Sequence, residues 1–283
     1  MPAPFDVAYM ERALLAGVLL AAPLGLLGTW VVVRGLAFFS HAVGVATFPG
    51  VVVGLGVPAL GPFAGSVLAA GLFTGTVSWL ERDHRLRGGV VTGITLAAAL
   101  ALGGLMLTTV FQVSAPVESV LFGSLLAISE ADVIRCVAIA AIAAIGLVLI
   151  SPGLAAATFD REWSRPAGAR PERGDAVLLV LLALTVVVAL PTTGSLLVSG
   201  LLTVPAATAR LLTDRLGVMQ LVAVALCAVE TVAGLGLARE LDVPPGAAVA
   251  SLAGAVFALT ALGAAFCAWR VAGVTRAGSG AAR

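Results

Sequence analysis

Long stretches without a charged residue alternate with short charged segments along this chain of 283 residues. A helix needs about 20 residues to cross roughly 30 Å of hydrocarbon. Each uncharged stretch is long enough for at least one membrane-spanning helix. The stretches cover residues 13–33, 35–80, 88–117, 136–159, 176–209, 216–238 and 243–269, and the sixth contains one acid, Glu230.

Two of these stretches are too long for one crossing and contain turn signals. Residues 35–80 are broken by Pro58 and Pro62 and are expected to hold two spans. Residues 176–209 contain the sequence Pro191-Thr-Thr-Gly194, which is typical of a turn between two short helices. The pattern therefore predicts about nine transmembrane helices, or eight if the second stretch forms one long helix.

The arginines favour nine helices over eight. Loops on the cytoplasmic side of a membrane are enriched in basic residues, and all 16 basic residues of this chain are arginines. Nine crossings place 13 of them on one side and leave Arg12, Arg135 and Arg239 on the other, whereas eight crossings remove most of this bias. We predict nine spans with the N-terminus outside and the C-terminus inside, and a re-entrant segment at 194–209 as the fallback.

The composition agrees with a membrane protein that has no separate soluble domain. Hydrophobic residues make up 60% of the chain, charged residues 11%, and the mean hydropathy is +1.11. A soluble domain of this length could not cover so much apolar surface. We predict one all-α, polytopic helical bundle over 1–283 in contact with membrane lipid, with a flexible C-terminal tail at 273–283.

Several classes of function are disfavoured because the sequence lacks the residue types or motifs that they require. The chain contains no lysine, so it cannot form a P-loop, and any ATP hydrolysis must come from another subunit. A net charge of +1 argues against nucleic acid as a partner. An intramembrane protease is disfavoured because H-E-x-x-H is absent and the adjacent Ser40 and His41 cannot face each other on a helix. We therefore predict a transport subunit that is not an enzyme.

The longest hydrophilic segment, FDREWSRPAGARPERGD, covers 159–175. Its four arginines place it on the cytoplasmic side. Asp160 is a suitable N-cap, Glu162 adds negative charge to the first turn, and Pro166 with Gly168 limits the length of the helix. The segment is expected to form a short helix on the cytoplasmic face, and an ordinary basic loop is the alternative.

Six segments follow the order found in a known family of membrane proteins. They are GLLGTWVVVRGLAFFSHAVGVATFPGVVVG (25–54), GGVVTGI (88–94), LFGSLLAIS (121–129), FDREWSRPAG (159–168), TGSLLVSGLLTVPAATARLL (193–212) and LDVPPGAAV (241–249). The chain resembles the membrane permeases of the manganese, zinc and iron family of ATP-binding cassette importers. The resemblance extends over nearly the whole chain, and 193–212 is its most specific part.

This resemblance implies a fold, partners and a location. The fold would be that of a type II importer permease, similar to the permeases for vitamin B12 and siderophores. The partners would be a second copy of this chain in a homodimer, two cytoplasmic ATP-binding subunits and an extracytoplasmic metal-binding protein, in the cytoplasmic membrane of a prokaryote. Residues 159–171 would be the coupling helix that contacts the ATPase, through Phe159, Asp160, Arg161, Glu162 and Gly168.

The chain departs from the family in its second helix. Family members have the sequence Asp-Ala-Leu-Ser-His-Ala-Val-Leu-Pro-Gly, in which Asp and His share one helical face and suit a divalent cation. Residues 41–50 align with this motif, so that His41 occupies the Asp position and Val45 the His position. One candidate metal ligand remains at these two positions.

His41 and Glu230 lie inside predicted spans, and both are candidate metal ligands. An ionisable group in a membrane favours a functional role, and neutral imidazole is a common zinc ligand. The alternatives are a His41 hydrogen-bonded to a neighbouring helix and a protonated Glu230 bonded to a backbone carbonyl. The helix rise places the two residues at different depths, so we expect separate stations on one pathway.

Pro49, Gly50 and Pro205 are further candidates for the translocation pathway or its hinges, together with Ser40. Proline inside a helix frees a backbone carbonyl, and transporters use such positions to coordinate ions and to bend. Gly50 and Gly54 also have the small-xxx-small spacing that lets two membrane helices pack closely.

The sequence therefore predicts the permease of an ATP-driven importer of a divalent metal. Zinc is ranked first because of His41, manganese second, and no cofactor is expected to be permanently bound. One alternative is an ATP-independent secondary transporter or channel. Such proteins often contain internal sequence repeats, and we find none here. The other is a permease of the same class that moves a non-metal substrate such as a metal chelate.

Overall fold

All regular elements in the described part of the chain are helices, as predicted. The structure is a computed structural model that describes residues 8–81, 89–111, 129–159, 171–241 and 243–280. A π-helical turn, Met106–Phe111, continues the fifth helix. The helices are α1 (Ala8–Arg34), α2 (Ala37–Ala46), α3 (Phe48–Gly56), α4 (Gly61–Leu80), α5 (Gly89–Leu105), α6 (Glu130–Phe159), α7 (Pro171–Leu212), α8 (Leu216–Leu241) and α9 (Pro245–Gly280).

Eight segments within these ranges are long and apolar enough to cross a membrane. They are Leu14–Arg34, Ala37–Gly56, Gly61–Leu80, Gly89–Thr109, Glu130–Thr158, Gly174–Pro191, Leu216–Leu241 and Pro245–Phe266. The second of them combines α2 and α3, which meet at Thr47. A further apolar helix, Leu197–Leu212, is shorter. The protein is a multi-pass membrane protein.

The α7 segment folds back on itself and does not form one long helix. Asp175 forms an ion pair with Arg34 at the end of α1, whereas a Cβ atom on Gly28 of α1 would lie 2.0 Å from the carbonyl oxygen of Leu202. Gly28 and Arg34 are only about 9 Å apart along α1, but a straight helix from residue 175 to 202 would cover about 40 Å. The chain must therefore reverse between these two contacts.

The reversal occurs at Gly194. Its backbone angles, φ 76° and ψ 159°, lie in a region that is essentially restricted to glycine. We name residues 171–193 α7a and residues 195–212 α7b. The predicted division at Pro191-Thr-Thr-Gly194 is confirmed, and the alternative of a single helix through 176–209 is wrong.

The ends of α7b lie toward opposite sides of the bundle. Pro191, at the end of α7a, lines a cavity with Asp132 near the start of α6. Ala209, near the end of α7b, lies in a cluster with Val32 and Val33 at the other end of α1. The segment thus returns from one side of the bundle to the other, and its assignment as a ninth span stays a prediction.

The helices form two groups that share α7 as a neighbour. The smaller group comprises α2, α3, α4 and α5, and the larger one comprises α1, α6, α8 and α9. Within the larger group α1 is central and runs antiparallel to α8, since Gly17 faces Thr231 and Gly25 faces Val224. Large side chains of α1 are at most 1% exposed: Leu20, Leu24, Leu27 and Trp30.

Glycines bring α3 and α4 into backbone contact. A Cβ atom on Gly50 would lie 2.1 Å from the carbonyl oxygen of Gly65, and one on Gly54 would lie 2.3 Å from that of Gly61. A side chain at either position would push the helices apart. The close packing predicted from the Gly50 and Gly54 spacing is confirmed.

The last helix is longer than the sequence pattern indicates. The sequence predicts a flexible tail at 273–283, whereas α9 continues through Gly280. The apolar residues Leu259, Leu262 and Phe266 are exposed along α9. This helix therefore presents an apolar surface to the membrane over its outward side.

Candidate functional site

His41 contacts the short helix α7b. It lies in the first half of α2, which begins at Ala37, and its side chain is half-buried. Its Nδ1 atom is 3.1 Å from the Oγ atom of Ser199. The predicted alternative to metal binding, a hydrogen bond to a neighbouring helix, is therefore present. This contact uses one ring nitrogen, so Nε2 is the atom of His41 that could hold a metal ion.

The other polar group at this level of α2 is engaged within its own helix. Ser40 is 1% exposed, and its hydroxyl donates a hydrogen bond to the carbonyl oxygen of Ala37 at 2.8 Å. Val45, one turn after His41, is half-buried and offers no donor atom to a metal. Ser40 thus has only oxygen lone pairs left for a substrate.

The predicted kink at Pro49 and Gly50 is a break between two helices. α2 ends at Ala46, and Pro49 is in the first turn of α3, where its missing N–H costs no helical hydrogen bond. Gly50 is the position at which α3 approaches Gly65. The hydroxyl of Thr47, at the break, donates to the carbonyl oxygen of Gly44 at 2.6 Å.

Pro205 lies inside α7b, and the helix continues through it. Proline donates no hydrogen bond to the residue four positions earlier, so the carbonyl of Leu201 lacks its helical donor. The neighbouring residue, Ala206, packs near Gly28 of α1. The non-helical residue of α7 is Gly194, which places the reversal there and not at Pro205.

Glu230 is a buried acid in the larger group of helices. It is 1% exposed, and neither carboxyl oxygen has a hydrogen-bond partner among the described residues. Its neighbour Thr231 donates to the carbonyl oxygen of Cys227 at 2.7 Å. Burying a carboxylate without a partner is costly, so Glu230 has a strong requirement for a proton, a cation or water.

The structure does not bring His41 and Glu230 together. Thr231, next to Glu230, faces Gly17, about 25 Å along α1 from its C-terminal end at Arg34. His41 lies only about 6 Å from the start of α2, which follows Arg34 closely. Across the part of the chain that the structure describes, no group of three or more His, Cys, Asp and Glu residues could hold a metal ion.

The predicted coupling helix at 159–171 lies mostly outside the described residues. Asp160, Arg161, Glu162 and Gly168 belong to the part that is not described. Phe159 is the last residue of α6, and α7 begins at Pro171. The structure therefore shows where this segment starts and ends, and the assignment as a coupling helix stays a prediction.

Arg34 joins the two flanks of that segment. Its Nε atom donates to the hydroxyl of Thr158 at 3.2 Å, and its Nη2 atom donates to the carbonyl oxygen of Leu154 at 3.0 Å, both on α6. Its Nη1 atom forms an ion pair with Asp175 on α7a. The guanidinium also lies 6.0 Å from the ring of Trp30. Arg34 thus holds the ends of α1, α6 and α7a in one cluster.

Glu81 adds a negative charge beside this cluster. It follows α4 on the same side of the membrane as Arg34. Burial and, to a smaller extent, the negative charge of Asp175 raise the pKa of Glu81 above its ordinary value. The C-terminal end of α4 is therefore electrostatically linked to the flank of the predicted coupling segment.

A second ion pair lies at the opposite side of the bundle. Arg135 donates to Asp132 at 2.7 Å, three residues earlier on α6. The other oxygen of Asp132 accepts hydrogen bonds from the backbone N–H and the hydroxyl of Ser129, at 3.1 and 2.7 Å. The guanidinium of Arg135 lies 4.1 Å from the centre of the Phe63 ring on α4.

Sequence reasoning did not identify this outer group. One local signal was available, because Ser129 and Asp132 have the spacing of a capping box at the start of a helix. The contact between Arg135 and Phe63 joins residues from different spans, and no local pattern indicates it.

Comparisons with known proteins give matches over most of the chain. The model of the ABC 3 transport family matches residues 6–264. The manganese transport system membrane protein MntC of Halalkalibacterium halodurans is 31% identical over 251 residues, which cover 89% of this chain and 86% of that protein. The chelated iron transport system membrane protein YfeC of Yersinia pestis is 30% identical over 256 residues, or 90% and 86% of the two chains.

A solved structure has the same fold. PsaBC from Streptococcus pneumoniae in complex with Fab aligns with a TM-score of 0.79 at 24% sequence identity. The alignment covers 90% of this chain and 91% of the matched chain. This likeness extends to nearly the entire helical bundle.

Proposed function

The chain belongs to the ABC 3 transport family, and we propose that it is the membrane permease subunit of an ATP-driven importer of a divalent metal ion in the bacterial cytoplasmic membrane. The absence of lysine means that the chain has no P-loop of its own. The proposed complex is a homodimer of this chain with two cytoplasmic ATP-binding subunits and an extracytoplasmic metal-binding protein. The family match over residues 6–264 carries this proposal.

The names of the relatives favour manganese or iron over zinc as the transported metal. MntC is named for manganese transport and YfeC for chelated iron transport. The imidazole of His41 alone would favour zinc. Since Val45 removes the second family ligand and Ser199 contacts the imidazole, we rank manganese first and zinc after it.

In the proposed mechanism, the ATP-binding subunits close on ATP and move the segment 159–171. Arg34 supports transmission of this movement, because it contacts the α6 flank through Thr158 and the α7a flank through Asp175. A shift of the segment would thus reach α1 and, through the reversal at Gly194, the helix α7b that contacts His41. The pathway would then open on the other side of the membrane.

The coupling assignment is tested by ATPase stimulation in the purified complex. Substituting Asp160, Arg161 and Glu162 together with alanine is expected to abolish the stimulation of ATP hydrolysis by the metal-loaded binding protein. The matched control substitutes Thr213, Asp214 and Arg215, in the loop after α7b, with alanine and should retain it. Stimulation that persists in the first variant would remove the coupling role from 159–171.

The metal stations are tested by uptake in cells that carry the whole transport system. We expect His41→Ala and Glu230→Ala each to reduce uptake of radiolabelled Mn²⁺. The variant Glu230→Gln keeps a polar side chain but removes the carboxylate, so it shows whether uptake requires the negative charge. Retained uptake in both alanine variants would mean that the pathway is lined by backbone and small polar groups. Ser199→Ala is a control for the loss of the hydrogen bond to His41.

A metal chelate is the second candidate substrate. It is favoured by the name of YfeC and by the lack, among the described side chains, of a cluster of three or more metal ligands. Uptake of free Mn²⁺ and of chelated Fe³⁺ by the same cells distinguishes the two. Transport of the chelate alone would replace the free ion as the substrate.

A further inference from the structure

The contact between His41 and Ser199 determines which nitrogen of the imidazole carries the proton. The two atoms in contact are Nδ1 of His41 and Oγ of Ser199, 3.1 Å apart. A neutral imidazole has one N–H group and one nitrogen lone pair. If Nδ1–H donates to Ser199, Nε2 keeps its lone pair and can bind a metal ion. If the hydroxyl of Ser199 donates to Nδ1, the proton is on Nε2, which can then only donate a hydrogen bond.

Hydroxyl groups on these two helices donate to their own backbone. Four other hydroxyls are described on α2, at its end and on α7b, and each donates to a carbonyl oxygen three or four residues earlier, at 2.6–2.9 Å. They belong to Ser40, Thr47, Thr203 and Thr208. Such bonds are usual for serine and threonine within a helix. A hydroxyl has one proton, so a Ser199 that follows this pattern can only accept from His41, and Nδ1 is then the donor.

The surroundings of this contact leave Nε2 accessible. His41 is half-buried, and the hydrogen bond that it forms with the described residues is the one through Nδ1. Thr203 is also half-buried and lies one turn after Ser199, on the same face of α7b. Its hydroxyl proton is used by the carbonyl of Ser199, so Thr203 offers only oxygen lone pairs. The seam between α2 and α7b thus presents acceptor atoms, which suit a cation.

We propose that Ser199 is a positioning residue that holds His41 in the Nδ1–H tautomer and thereby makes the site selective for a bare divalent cation over a metal chelate. The inference rests on the proposed function and decides between its two candidate substrates. A bare cation requires the lone pair of Nε2. A chelate presents mainly the oxygen atoms of its organic ligand, which would require an N–H donor at Nε2. A hydrogen bond to the second ring nitrogen also orients a histidine that binds a metal.

The tautomer can be read directly from the ¹⁵N resonances of the imidazole. The permease chain is labelled with ¹⁵N-histidine and assembled with unlabelled ATP-binding subunits in lipid nanodiscs. The chain has two histidines, so His84→Gln leaves His41 as its only labelled ring. At about pH 8.5, where imidazole is ordinarily neutral, we expect a proton on Nδ1 and none on Nε2. A proton on Nε2 would overturn the proposal, because that nitrogen could not bind a metal ion.

Three variants of α7b, made in the same labelled chain, test whether Ser199 is the cause. Ser199→Ala removes the acceptor and should move the proton to Nε2. Ser199→Thr keeps a hydroxyl and should keep the Nδ1–H tautomer. Thr208→Val is the matched control, because it removes a hydroxyl of the same helix that bonds to its own backbone, and it should also keep this tautomer. An unchanged tautomer in Ser199→Ala would refute the role of Ser199. The tautomer of the wild type remains decisive if Ser199→Ala does not fold.

Metal binding and uptake link the tautomer to the substrate. Mn²⁺ is titrated into the same complexes, and the loss of the electron paramagnetic resonance signal of free Mn²⁺ gives the bound fraction. We expect Ser199→Ala to weaken Mn²⁺ binding about tenfold and Ser199→Thr to restore it. Equal affinity in Ser199→Ala and the wild type would contradict the selectivity given to Ser199.

ATP-driven Mn²⁺ uptake by the wild type separates this inference from the proposed function. Normal uptake together with a proton on Nε2 of His41 would remove the role of Ser199 and leave the permease assignment intact. Absent uptake, with the Nδ1–H tautomer present and lost in Ser199→Ala, would count against the proposed function.

Discussion

Arg34 and Asp175 form an ion pair between α1 and α7a at the predicted cytoplasmic side, although they are 141 residues apart in the sequence. The arginine also reaches the hydroxyl of Thr158 and the carbonyl of Leu154. Both flanks of the predicted coupling segment are thus attached to one side chain. Its removal should affect stability and coupling together.

We expect Arg34→Gln to lower the stability of the permease by about 1–3 kcal/mol, because it removes the ion pair to a partly buried carboxylate and the hydrogen bond to the carbonyl of Leu154. Thermal unfolding in detergent measures this. The same variant should show weaker stimulation of ATP hydrolysis by the metal-loaded binding protein. Arg215→Gln, at an exposed cytoplasmic position, is the matched control, and equal melting of the two variants would contradict the role given to Arg34.

Glu81 should make stability depend on pH. Burial and Asp175 raise its pKa above the ordinary 4.5, so between that value and the raised pKa the folded protein holds a proton that the unfolded chain has lost. Stability falls as the pH rises through this window. We expect Glu81→Gln to melt above the wild type at about pH 7.5 and to lose that advantage at about pH 4.

The control for this pH effect is Glu240→Gln, at an exposed position near the end of α8. Its melting temperature should follow the wild type at both pH values. A Glu81→Gln variant with the same pH profile as the wild type would show that Glu81 is not perturbed by its surroundings.

Gly50→Ala should destabilise the packing of α3 on α4. A Cβ atom at this position would lie 2.1 Å from a backbone oxygen of Gly65, and backbone cannot move aside as a flexible side chain can. The expected loss is about 1–3 kcal/mol, measured by thermal unfolding. Gly71→Ala on α4, where nothing lies within 4 Å, should be neutral, and similar losses in the two variants would be evidence against this backbone contact.

Gly194→Ala should disturb the reversal between α7a and α7b. The glycine has φ 76° and ψ 159°, and a side chain there is strained by about 1–3 kcal/mol. Gly200 is also in α7, and a Cβ atom added there would meet no other atom within 4 Å. Gly200→Ala should therefore retain wild-type stability. Thermal unfolding in detergent should show a lower melting temperature for Gly194→Ala alone. A Gly194→Ala variant that melts at the wild-type temperature would argue against the tight turn.

Most of the helical bundle could be predicted because each span is encoded locally. Apolar stretches such as 136–159 and 243–269 have the length that a bilayer requires, and Pro191 with Gly194 marked the reversal in α7. The end of α9 could not be predicted in the same way. Its last residues are small and basic, which suits either a helix or a coil, and the helix continues to Gly280.

The candidate site was less accessible to sequence reasoning. His41 and Glu230 stand out as polar residues in apolar spans, but their separation along the membrane depends on how α1, α2 and α8 pack. The group of Phe63, Asp132 and Arg135 was missed because its members lie on two spans that pair only in three dimensions. Single polar residues in a span can be read from sequence, whereas pairs across helices require the fold.

The most direct test of the proposed function is uptake of radiolabelled Mn²⁺ into proteoliposomes that contain this chain, its ATP-binding subunit and the metal-binding protein. We predict accumulation that requires ATP and stops when the P-loop lysine of the ATP-binding subunit is substituted. Equal Mn²⁺ uptake by the chain alone, without ATP or the ATP-binding subunit, would identify a channel or secondary transporter and would contradict the assignment as a permease driven by ATP.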